Sequence, residues 1–339
     1  PRDRLSVYGI GLKRALFKLG NRIQISSDHE DGGFALDLNV REWERDTTQP
    51  WTFEITERAP AKRENTGTSI TVTELYDDVA KRIDDGVFVS QLENEISRTY
   101  SFFIEKLCNI SLNNRQVSGI NLRLSANYTN DTFDFNGVSC AITAGIGYQD
   151  QGQFKDRTAG WFIFCNGRNV IFADKSRLTG WGMGSSGLPI FQPKHRPFLG
   201  IVFFVSSNPE HLPWTTTKSD INEDSNVWQQ AKRYMITIGR NVTKFLDNRY
   251  TEQGTEVISD DLIDKADKGV GVISAAVAKD QKFTPPSKPK KDTTRVQFDA
   301  KKEHVQRVAE YLGRSDMGAA EVGRYTFHHF LENEIGDEE

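Results

Sequence analysis

The sequence predicts an α+β fold organised around two sheets, and three observations carry that expectation. Short runs of alternating polarity at residues 22–27, 33–38, 51–56 and 68–73 read as strands of a mostly antiparallel sheet that carries an N-terminal helix. A helical stretch at 77–106 then separates them from a second series of strand signals. That series ends in Gly200-Ile201-Val202-Phe203-Phe204-Val205, a near-continuous apolar run of the kind expected from a central strand buried on both faces.

Composition limits the classes open to the chain. Its 339 residues suffice for more than one domain with a real core. With 37% apolar residues, 27% charged residues and a net charge of −4, it is neither a general polyanion binder nor a disordered acidic tail. Cys108, Cys140 and Cys165 are odd in number, widely spaced and set in apolar runs, so they read as reduced core thiols of a cytoplasmic protein. No run approaches the ~20 apolar residues that cross a bilayer, and no leader-like pattern precedes the first motif. The expectation is a soluble protein without a membrane partner. The first motif lies so close to Pro1 that a further upstream segment is expected as well.

That motif is Tyr8-Gly9-Ile10-Gly11-Leu12-Lys13, two glycines leading into a helix on which Leu12, Ala15, Leu16 and Leu19 share one apolar face. Glycines at this place let a ligand approach the backbone, and the helix start offers unpaired N–H groups at the positive end of its dipole, which suits phosphate. An ordinary glycine-containing loop before a surface helix has the same pattern. Gly20-Asn21 closes the helix, and a hairpin turning at Asp31-Gly32 follows.

Along residues 77–106, Val89, Leu92, Ile96 and Phe103 line one face of a helix that could bridge two domains. Asn113-Asn114 marks a turn, and strands are expected at 121–125, 138–146, 161–165 and 170–173, the last two joined across Asn166-Gly167-Arg168. The glycine-rich residues 180–187 form either a surface linker or a binding loop. After the central strand comes a polar segment at 208–222 and then a long helix at 227–246. This strand, loop and helix order puts the loop at the strand's C-terminal end, where ligands are commonly met.

Residues 251–295 lack periodicity, and Pro285-Pro286-Ser287-Lys288-Pro289-Lys290-Lys291 reads as an extended basic tether, solvated or touching phosphate backbones. A brief strand signal at 296–298 precedes helices at 302–312 and 319–331. His328-His329 has no further ligands nearby and reads as surface or partner packing.

The order of these signals resembles the C-terminal half of a GHKL nucleotide-binding domain, the Bergerat fold found in gyrase B subunits, MutL, MORC proteins and heat-shock chaperone ATPases. The residues that carry the resemblance are Gly9-Ile10-Gly11-Leu12-Lys13 at the helix, Gly67-Thr68-Ser69-Ile70 entering a strand, and Leu212-Pro213-Trp214-Thr215-Thr216-Thr217-Lys218-Ser219-Asp220-Ile221-Asn222 between strand and helix. It implies the C-terminal half of a Bergerat α/β sandwich at 1–76, a linking helix and transducer-like β-α domain at 77–250, a linker at 251–295 and a small helical appendage at 296–339.

The resemblance further assigns Gly9, Ile10, Gly11, Leu12 and Lys13 to phosphate binding at the end of an ATP lid. Thr68 would join the network around the adenine amino group, and Lys218 would be the switch lysine on the γ-phosphate. The implied cofactors are ATP and Mg2+, with the magnesium ligand and the general base expected upstream of this chain, so these residues alone are expected to hydrolyse ATP poorly. The implied activity is that of an ATP-binding and ATP-hydrolysing clamp. It would close a lid and form a homodimer on nucleotide, in DNA transactions or chaperone-like remodelling of a protein client. The alternative is a non-catalytic, nucleotide-sensing scaffold or a partner- or DNA-binding module.

Overall fold

In the computed structural model, which describes residues 5, 9–45, 52–147, 158–253, 270–271, 282–283 and 298–335, the fold is α+β as the sequence leads one to expect. The chain divides into two compact units, Pro1–Pro285 and Pro286–Glu339.

The first sheet of the larger unit has the order β3-β2-β1-β4, antiparallel throughout, with β1 at Gly20–Asp28, β2 at Gly33–Asn39, β3 at Thr56–Arg58 and β4 at Gly67–Leu75. Helix α1 (Gly11–Leu19) runs directly into β1, and α2 (Val40–Arg45) follows β2. Leu16, Ile23, Leu38 and Val40 form a small core, with Phe17, Trp43 and Phe53 packed against it. Two expectations shift here. The third strand lies at Thr56–Arg58 rather than across 51–56, because Phe53 is drawn onto Trp43, their rings stacked at 5.3 Å. Of the apolar face expected on α1, Leu16 is buried, whereas Leu12 is 54% exposed.

The single helix expected over 77–106 is three: α3 (Asp77–Asp84), α4 (Gly86–Thr99) and α5 (Ser101–Lys106). Asp85 makes the first break by capping α4, its carboxylate accepting from the Val87 N–H at 2.9 Å; the periodicity runs through it because a cap interrupts hydrogen bonding without changing hydrophobic spacing. The second break falls at Tyr100, which leaves the helical region.

A two-stranded hairpin, β5 (Ser111–Leu112) with β6 (Arg115–Gln116), turns at Asn113-Asn114, both left-handed. The second large sheet has the order β10-β9-β11-β8-β7-β12, from β7 (Arg123–Phe135), β8 (Val138–Gly147), β9 (Gly160–Cys165), β10 (Arg168–Asp174), β11 (Phe198–Val205) and β12 (Val270–Gly271). β11 is central, parallel to β9 and antiparallel to β8.

Alternation along β11 separates two cores. Phe198, Val202 and Phe204 face α6 (Asn226–Gln253), which meets them with Trp228, Ala231, Met235, Ile238, Val242 and Leu246, a helical repeat along one side. Leu199, Ile201 and Phe203 join Phe162, Phe164 and Leu124 on the opposite face, where Phe102 of α5 covers them. Cys140 and Cys165 are free and buried in the first of these cores, their thiols pushed up by burial, but Cys108 is exposed, contrary to its expected core position.

Within the span read as a linker, β12 adds an edge strand to β7, and Phe283 packs on Phe245 at 5.5 Å. The basic run 285–291 lies outside the described residues, as do 296 and 297 of the expected short strand; Phe298 is not in a strand. The smaller unit contains α7 (Lys302–Tyr311) and α8 (Ala319–Phe330), close to the spans expected, with Ala309 and Val322 as its buried apolar residues among those described.

Candidate functional site

The sequence-named residues sit on three elements. Gly9 is left-handed at φ 67°, a conformation that costs glycine nothing and other residues a steric penalty. Ile10 then occupies the N-cap position of α1 without a side-chain cap, and its carbonyl accepts from the Arg14 N–H at 3.0 Å. No acidic residue occupies the first turn. The N–H groups of Gly11, Leu12 and Lys13 have no partner among the described residues, as expected of the first turn of a helix. A Cβ at Gly9 or Gly11 would meet nothing within 4 Å among the described residues, which leave this helix start open.

Thr68 lies near the start of β4, opposite Ser27 of β1, and their hydroxyls share a hydrogen bond of 2.8 Å. That bond lies on an exposed part of the sheet.

Lys218 lies in the loop between β11 and α6. Backbone pairing of Trp214 with Ile221 closes the loop, with the Thr215 N–H donating to Asp220 O at 2.9 Å and the Asn222 N–H to Pro213 O at 2.9 Å. Trp214 anchors it, buried in the core under α6 and donating its indole N–H to Pro209 O at 3.0 Å. At the tip the Lys218 N–H donates to Thr215 O at 2.9 Å, and Lys218 itself is left-handed at φ 56°, an uncommon state for a residue with a long side chain. Thr215, Thr217 and Ser219 line up in a chain of hydroxyl contacts at 3.1 and 2.9 Å. The Lys218 ammonium lies 5.4 Å from the Trp214 ring centroid, within cation–π range. Burial lowers its pKa, and the neighbouring charge of Arg168 lowers it further.

Arg168 is the residue that sequence reasoning passed over. Its Nε donates to the Lys218 carbonyl at 3.2 Å and its Nη1 to the Tyr100 hydroxyl at 2.9 Å, while the guanidinium lies over the Tyr100 ring. The available signal was its place directly after Asn166-Gly167, where a tight turn with two left-handed residues fixes the direction of the next side chain.

Thr68 and Lys218 share no hydrogen bond or ion pair with each other; the first is tied to Ser27, the second to Thr215 and Arg168. A cavity of about 520 Å³ lies at the start of α6, against Phe135, Val138, His211 and Val227, and includes none of the sequence-named residues. No group of three or more His, Cys, Asp or Glu among the described residues is arranged to hold a metal ion. No helix among them is long and apolar enough to cross a membrane.

No protein-family model matches the chain, and no curated protein matches it. Solved structures that resemble it include ATP-binding domains of topoisomerase IV and gyrase B. One is the topoisomerase IV ATP binding domain of Francisella tularensis in complex with a small-molecule inhibitor, at 12% identity and a TM-score of 0.35, covering 78% of this chain and 74% of that one. Another is the 43K ATPase domain of Thermus thermophilus gyrase B in complex with an aminocoumarin, at 8% identity and a TM-score of 0.31, covering 73% and 74%. Likenesses at this distance assign neither ligand nor activity.

Proposed function

We propose that the chain binds the phosphates of ATP between the start of α1 and the Lys218 loop and works as a nucleotide-dependent clamp. Two separate features support this reading: α1 starts without a side-chain cap, and the loop after β11 carries a cation that has no carboxylate partner among the described residues. In this reading, the amides of Gly11, Leu12 and Lys13, with Gly9 and Ile10 shaping the turn, hold phosphate oxygens through N–H donors at the positive end of the helix. Lys218 places an ammonium against the terminal phosphate, where charge builds up during transfer. Thr68 serves the adenine side through its hydroxyl.

None of these groups is a general base: the protonated lysine and the backbone amides only donate, and the Thr68 hydroxyl, which can accept a hydrogen bond, is too weakly basic to take a proton from water. They therefore support binding and sensing of the triphosphate directly, and hydrolysis only in company with a base. Magnesium would neutralise phosphate charge when bound; no residue of the set named here is a ligand for it. The same reading divides the chain into a nucleotide portion at 1–76, a transducer-like portion at 77–250, a linker at 251–295 and an appendage at 296–339. It includes nucleotide-driven homodimerisation, a DNA or protein client, and a reducing, cytoplasmic compartment suited to the unpaired cysteines.

The second reading is a nucleotide-sensing scaffold without turnover, favoured by the lack of a carboxylate or imidazole base among the site residues named here.

Gly11→Val tests the phosphate contact. The new side chain meets no atom of the described residues within 4 Å of its Cβ, so the urea midpoint should stay near that of the wild type, while it fills the space a phosphate needs. Calorimetric titration with a non-hydrolysable ATP analogue should show binding by the wild type and a loss of about tenfold or more in the variant, the scale of charge-assisted hydrogen bonds to an anion. Equal binding by both proteins would remove α1 from the site.

A further inference from the structure

We propose that Arg168 is a positioning residue for Lys218, locking the backbone of the lysine's loop and tying it through Tyr100 to the junction of α4 and α5. The inference rests on the reading of Lys218 as the cation that meets the terminal phosphate, and it adds to that reading the means by which the loop is held and its state is passed on.

Three elements converge at this guanidinium. The first is the β9–β10 turn, which presents Arg168 as the first residue of β10, paired with Cys165. The turn is fixed from both sides: the Asn166 side chain donates to Ser206 O and accepts from the Ser206 N–H, each at 2.9 Å, and Gly167 lies so close to Phe102 that an added Cβ would sit 2.8 Å from Cδ1 of that ring. The second is the Lys218 loop, which offers the carbonyl of its left-handed residue. The third is Tyr100, the residue at which the helical connector breaks.

Arginine suits this position because its planar fork can donate in two directions at once while its face stacks on an aromatic ring. A lysine would supply one point charge and no fork. By accepting from Arg168, the Lys218 carbonyl gains a charge-assisted hydrogen bond that offsets part of the cost of the residue's left-handed backbone.

The arrangement also sets two cations beside each other. Among the described residues neither Arg168 nor Lys218 has a carboxylate within ion-pair distance, and the repulsion between them adds to burial, the larger cause, in lowering the Lys218 pKa. An anion between or against them relieves that repulsion. Phosphate binding at Lys218 is thereby coupled to Arg168, and through its hydrogen bond to Tyr100, the end of α4.

The test uses the whole chain and the variants Arg168→Ala, Arg168→Lys and Tyr100→Phe, the last removing one hydroxyl and leaving the ring. Two readouts need no nucleotide: the titration of the Lys218 ammonium followed by NMR of its ε-carbon, and amide hydrogen exchange in residues 215–221. Arg168→Ala should raise the Lys218 midpoint and speed exchange in the loop. Arg168→Lys should keep the midpoint low, since the charge remains, yet still speed exchange, since the fork is lost. Tyr100→Phe should speed exchange to a smaller extent. A third readout is preference for a non-hydrolysable ATP analogue over ADP, which Arg168→Ala should reduce roughly tenfold.

Wild-type titration and wild-type exchange in Arg168→Ala would overturn the positioning role. If the wild type shows no preference for the triphosphate, the nucleotide reading falls, and the titration and exchange data still decide for or against Arg168.

Discussion

A buried histidine shows how single residues set the conditions under which this fold holds together. His195 is fully buried; its Nδ1 accepts from the Gln192 N–H at 3.1 Å, which places the ring proton on Nε2, where it donates to Asp247 Oδ1 at 2.9 Å. Lys194 also reaches Asp247, at 2.8 Å. Burial lowers the His195 pKa below the ordinary 6.5, and the bond to Asp247 offsets this only in part. The folded state therefore binds the neutral ring, and between the folded midpoint and 6.5 the unfolded chain takes up more protons. This contribution to stability is complete above 6.5 and is lost as pH falls through the lowered folded midpoint. Urea midpoints measured on either side of 6.5 should fall with pH in the wild type and fall less in His195→Gln; equal pH dependence in both would show that His195 is not a source of it.

At the scale of elements, legibility followed hydrogen-bond and burial patterns that leave a mark on residue order. Gly200 to Val205 read as a doubly buried strand because both of its faces are apolar, and β11 has a core on each side. Asn113-Asn114 and Asn166-Gly167 read as turns because left-handed backbone selects those residues. The Asn136-Gly137 turn carries the same signal, with φ of 48° and 74°, and it closes β7 on β8; of the long β7 only the start, at 121–125, is legible, because Asn130, Asp131, Thr132 and Asp134 hide the alternation further along. The helical connector was read as one because apolar spacing does not register the Asp85 cap. For the site, the glycine turn and Lys218 were visible as motifs, whereas Arg168 and Tyr100 meet only in three dimensions, 68 residues apart in sequence.

Packing between elements is equally specific. Gly200 lies under the Trp161 indole, where an added Cβ would stand 2.3 Å from Cε3 of a ring that is itself fully buried. Gly200→Ala should therefore displace the indole or part β11 from its neighbours, at about 1–3 kcal/mol of stability, the usual cost of overpacking a filled core. Denaturant unfolding monitored by tryptophan fluorescence measures it. A variant as stable as the wild type would mean that the core under α6 has slack.

Across the molecule, the larger unit combines a sheet that carries an open helix start with a second sheet whose central strand feeds a loop bearing a lysine. In the proposed function one ligand joins these. If Lys218 recognises the terminal phosphate, the protein must distinguish a triphosphate from a diphosphate. The direct measurement is the ratio of affinities for a non-hydrolysable ATP analogue and for ADP, by calorimetry, in the wild type and in Lys218→Ala. Loss of a charge-assisted contact should reduce the wild-type preference roughly tenfold or more and leave ADP binding nearly unchanged. An identical ratio in the two proteins, or a wild type that binds neither nucleotide, would contradict the claim.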